Sequence, residues 1–60
     1  MEKDVIIKVL YVDDEEQNLV SFKASFRRYF NIFTAISADA AQKILKINTI
    51  HVLITDQRMP

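Results

Sequence analysis

The sequence predicts an α/β fold in which a parallel sheet is built as β-α-β-α-β. Two short apolar runs, residues 5–12 and 50–55, are rich in Val, Ile and Leu and each leads into an aspartate. The first is almost continuously apolar, the pattern of a strand covered on both faces. Between the runs lie two stretches with apolar residues at helical spacing, separated by a β-branched segment. Alternation of this kind implies parallel strands joined by right-handed crossovers.

Each element has its own signal. Residues 5–12 form the first strand. Leu19, Phe22, Phe26 and Phe30 recur at spacings of three and four, which places them on one face of a helix over about 15–29. Acidic residues open that helix, and Lys23, Arg27 and Arg28 fall toward its end, in keeping with the helix dipole. Asn31 reads as a turn residue. Residues 32–36, Ile-Phe-Thr-Ala-Ile, read as the second strand. Ser37 is a favourable N-cap for a helix over 38–47, with Ala41, Ile44 and Leu45 facing inward and Asn48-Thr49 ending it. Residues 50–55 form the third strand.

Composition removes several function classes. Half of the 60 residues are hydrophobic, which argues against a disordered chain. There is no Cys, so neither a disulfide nor a thiolate metal site is available. Formal net charge is zero, and Lys23, Arg27 and Arg28 read as a solvated helix face, so the footprint of a nucleic-acid binder is missing. No apolar run is long enough to span a membrane. Met1-Glu2-Lys3-Asp4 does not read as a signal peptide, and a cytoplasmic setting is the default expectation. Sixty residues is small for a domain, and a three-stranded sheet leaves an edge that invites pairing.

The acidic residues carry the chemistry. If the first and third strands are parallel neighbours, Asp13, Asp14 and Asp56 meet at one sheet edge, where open α/β sheets place their ligands. Like charges gathered there resist ionisation unless a cation sits among them. The expectation is a Mg2+ site with one carboxylate free to react.

Val9-Leu10-Tyr11-Val12-Asp13-Asp14-Glu15 before a helix, and Leu53-Ile54-Thr55-Asp56-Gln57-Arg58-Met59-Pro60, resemble the receiver domain of bacterial two-component response regulators. The likeness covers about residues 5–60. It implies a flavodoxin-like sheet with strand order 2-1-3, and residues 1–60 as the first half of a receiver, with no second domain. It also implies that Asp56 is the phosphoacceptor, taking a phosphoryl group from a histidine kinase or phosphotransfer protein. By the same resemblance Asp13, Asp14, Asp56 and the backbone carbonyl of Arg58 would hold Mg2+, and Met59 and Pro60 would start the loop after the third strand. The family's phosphotransfer and dephosphorylation are self-catalysed, so the chain is not expected to be an enzyme in the usual sense.

The sequence departs from that pattern. The Ser or Thr of a fourth strand and the Lys of a fifth are not among these residues, and His51 stands where an acidic residue is common. Three further readings follow. Asp13 and Asp14 could serve only as turn and helix-capping residues. The chain could act as an interaction module, associating through its strand edge and Phe-bearing helix into a homo-oligomer. A phosphate-ester hydrolase with an aspartyl nucleophile is disfavoured, because such enzymes place a second Asp two residues on, where Arg58 stands. His51 and Thr55 read as structural strand residues, and Glu15 and Glu16 as first-turn helix charges.

Overall fold

In the computed structural model, which describes residues 6–55, the elements follow in the expected order: β1 Lys8–Val12, α1 Glu16–Phe26, β2 Asn31–Ala35, α2 Ala38–Ile47 and β3 Val52–Thr55. The three strands are parallel and ordered β2-β1-β3. This is the flavodoxin-like order of strands 2-1-3. β1 lies at the centre, with Leu10 opposite Phe33 on one side and Leu53 on the other.

Side chains alternate across the sheet, and each helix takes one face. Leu10, Val12 and Ala35 form a buried cluster with Ala41 of α2, against which Phe33, Ile44 and Ile50 pack. On the other face α1 packs on β1 and β2. There the ring of Tyr11 stacks on Phe22 at 4.5 Å, and Phe22 lies 4.8 Å from Phe26. Among the described residues neither helix packs against β3.

Several boundaries differ from the sequence expectation. β1 starts at Lys8 and β3 at Val52. His51 sits one residue ahead of its strand, where its N–H donates to the Lys8 carbonyl and its Nδ1 accepts from the Lys8 N–H, both at 2.9 Å. That is a structural role. Asn31 is the first residue of β2, not a turn residue, because its N–H donates to the Ile7 carbonyl at 2.9 Å and begins the ladder. α1 ends at Phe26 with Arg27 as C-cap. The N–H groups of Tyr29 and Phe30 both reach back to the Phe26 carbonyl, and this tight turn delivers the chain to β2. Arg27 and Arg28 therefore lie beyond the last helical turn, both exposed.

α2 has the expected bounds. The Ser37 hydroxyl oxygen accepts from the Ala40 N–H at 3.1 Å, satisfying one orphan donor of the first turn. Its inner face is narrower than expected. Ala41 is buried and Ile44 half-buried, but Leu45 is 41% exposed, because the small three-stranded sheet offers it no opposing surface. The aromatic stripe of α1 is likewise only partly covered. Leu19 is buried and Phe22 and Phe30 half-buried, whereas Phe26 is exposed.

Candidate functional site

The site is built where β1 ends. Asp13 directly follows the strand, and its N–H donates to the Ala35 carbonyl at 3.1 Å, extending the β1–β2 ladder by one rung. The side chain alternates onto the same face as Val9 and Tyr11, the face that α1 covers. Asp13 is 2% exposed, the one buried charged residue among those described.

A buried carboxylate needs donors, and Asp13 has three. Its Oδ1 accepts from the Glu15 N–H at 2.9 Å. Its Oδ2 accepts from the Tyr11 hydroxyl at 2.7 Å and from Asn18 Nδ2 at 3.0 Å. The same Asn18 nitrogen approaches Glu15 Oε1 at 3.3 Å. The Glu15 N–H, then the Tyr11 hydroxyl, hold the Asp13 carboxyl below its ordinary pKa, with Asn18 adding to them and against desolvation, which acts the other way. Neutral donors thus stabilise the carboxylate, and the expected gathering of Asp13 and Asp14 with Asp56 lies outside the described residues.

Asp14 is exposed in the bend between β1 and α1. Glu15 is the N-cap of α1, in extended conformation and without a side-chain cap bond, and Glu16 opens the first turn. Asp13 thus takes part in the turn, as the bland alternative held, but with more donors than a turn requires. The register sets Val12 opposite Thr55, so β1 and β3 run to the same edge. Asp56, Arg58, Met59 and Pro60 lie outside the described residues. Among the described residues no group of three His, Cys, Asp or Glu side chains is placed to hold a metal ion.

Sequence reasoning passed over Tyr11 and Asn18. Both were legible in principle. Tyr11 lies two residues before Asp13, hence on the same strand face. Asn18 is the third residue of α1, the position from which a side chain reaches back to the residues before a helix.

A second feature lies on the same side of the sheet. Ile7, Val9, Phe22, Phe26, Phe30, Val52 and Ile54 line an apolar cleft of about 290 Å³. Among the described residues no helix is long and apolar enough to cross a membrane.

The chain is similar to the hydrogenase transcriptional regulatory protein HoxA of Cupriavidus necator, with 36% identity over 52 residues. The match takes in 87% of this chain and 11% of that protein, so the chain spans about a tenth of the relative's length. No protein-family model matches the chain, and no solved structure does.

Proposed function

We propose that this chain is the first part of a response-regulator receiver that accepts a phosphoryl group on Asp56, with Mg2+ held by Asp13, Asp14, Asp56 and the Arg58 carbonyl. The observation that carries the reading is the buried Asp13, its carboxyl held by three donors, at the carboxyl end of the central strand of a 2-1-3 parallel sheet. The likeness to a transcriptional regulatory protein supports it.

The donor set suits a hard cation, since Asp13, Asp14 and Asp56 offer oxygen alone. When bound, Mg2+ would neutralise the phosphoryl oxygens as the nucleophile approaches. The chain's own residues do the rest. Glu15, Tyr11 and Asn18 fix Asp13. Asp56 attacks phosphorus with a carboxylate oxygen, the bond to the donor's imidazole nitrogen breaks, and the freed imidazole takes up a proton. Hydrolysis of the acyl phosphate by water then restores the carboxylate. Partners would be a sensor histidine kinase or phosphotransfer protein, in the cytoplasm.

The test is intact mass after incubation with Mg2+ and acetyl phosphate. One added phosphoryl group, absent in Asp56→Asn and after EDTA, is the expected result. No adduct on a chain shown to be folded would refute phosphoryl transfer to these 60 residues and leave an inactive receiver fragment.

A second reading is favoured by β3, whose four residues are all exposed: self-association through that edge. Light scattering at micromolar concentration decides it, a dimer or larger species being expected and a compact monomer contradicting it.

A further inference from the structure

We propose that His51 is a pH-sensitive latch on the β1–β3 pairing, closed while its imidazole is neutral and opened when the ring takes up a proton. The latch lies at the amino end of the sheet, away from Asp13, and does not depend on phosphoryl transfer.

Two hydrogen bonds join His51 to Lys8. The His51 N–H donates to the Lys8 carbonyl, and the Lys8 N–H donates to His51 Nδ1, both at 2.9 Å. The first is an ordinary rung of a parallel ladder. In the second, a side-chain nitrogen stands where a strand would offer a carbonyl. A carbonyl accepts at any pH, but a ring nitrogen accepts only while it carries no proton. The bond therefore assigns the neutral ring with its proton on Nε2. A protonated ring donates from both nitrogens, and its Nδ1–H then faces the Lys8 N–H.

Histidine is the side chain that ordinarily changes charge between about pH 5 and 8. His51 is exposed, so a proton reaches the ring without unfolding. The charged groups brought to this end of the sheet are Lys8 of β1, Lys23 in the last turn of α1, Arg27 and Arg28 before β2, and Lys46 in the last turn of α2. Tyr29, also before β2, is a further titratable group there. β2 and β3 carry no charged residue. None of these groups offers the ring a counter-charge, and among the described residues no carboxylate is bonded to His51. The latch is thus present where the ring is neutral and is lost as pH falls. β3 depends on this pairing, because among the described residues β1 is its one neighbouring strand and no helix packs on it. Loss of one hydrogen bond of ordinary net strength makes local opening about fivefold easier.

The experiment measures amide hydrogen exchange by NMR on the 60-residue chain. It is run at pH values on either side of the ring's own titration, read from the carbon-bound protons of His51, with each rate taken relative to the intrinsic rate at that pH. Protection of the Lys8 amide is expected to fall about fivefold on the acid side. The Asp13 N–H, bonded to Ala35 at the other end of β1, is expected to keep its protection. His51→Asn supplies an oxygen close to the Nδ1 position that accepts at both pH values, and there Lys8 should be equally protected at both. His51→Ala should leave Lys8 weakly protected at both. Unchanged Lys8 protection in the parent while the ring titrates overturns the proposal. So does an equal fall at Asp13, or a fall of the same size in His51→Asn. Should the variants fail to fold, Lys8 against Asp13 in the parent chain decides alone.

Discussion

β1 and β3 look alike as sequence and behave differently in the fold. Both are short, rich in Val, Leu and Ile, and lead into aspartate. In β1, Val9, Leu10 and Val12 are at most 6% exposed. In β3 every residue is exposed, Leu53 at 52%. The difference is position in the sheet. β1 has a strand on each side and a helix against each face, whereas among the described residues β3 has one neighbouring strand and no helix packed on it. Burial follows strand order, and the chemistry follows burial. The donors that hold Asp13 come from β1 itself and from α1.

The comparison is most easily broken at its apolar centre. Leu10→Ala should cost about 2–5 kcal/mol, the range for truncating a buried leucine, while Leu53→Ala should cost under about 1 kcal/mol because its side chain is already half in water. Urea unfolding of the two variants checks this. Equal losses would mean that β3 is as well packed as β1.

A second contrast concerns acid. Asp13 has a folded-state pKa below its ordinary value. The unfolded chain therefore binds its proton first as pH falls. The stability contributed by Asp13 is fully present above about pH 4, and it is lost as pH falls through the lower, folded-state value. Asp13→Asn should flatten this part of the stability profile. A profile insensitive to Asp13→Asn would remove the electrostatic account of the site.

Smaller effects lie away from β1. Ser37→Ala should destabilise by about 1 kcal/mol through loss of the α2 N-cap, read as a shift in denaturation midpoint. Leu53→Lys places a charge on the exposed edge strand, away from the apolar cleft, and should change monomer stability by under about 1 kcal/mol. It should also suppress any association through that edge. A large loss of stability would show that β3 is covered.

Much of the fold was legible because its signals are local. Ser37, followed by helical spacing to Ile47, defined α2 to the residue. The strand order came from the receiver resemblance and agrees with the observed sheet. The end of α1 was not legible, since no Gly or Pro marks it and the stop is made by the turn that carries the chain from Phe26 to Asn31. Leu45 and Phe26 carry helical periodicity whether or not a sheet lies opposite them, so periodicity overstated their burial. The acidic end of β1 was legible, but the donors that hold Asp13 were not. A tyrosine in an apolar strand reads as core until its hydroxyl is placed against a carboxylate.

The most direct test of the central claim, that function resides at the carboxyl end of β1, is an amide NMR titration of the chain with Mg2+. The account predicts shifts concentrated at Asp13, Asp14 and Glu15, with Ile7, Lys8 and His51 at the opposite end of the strands unmoved. Shifts spread evenly over both ends, or none at all, would contradict it.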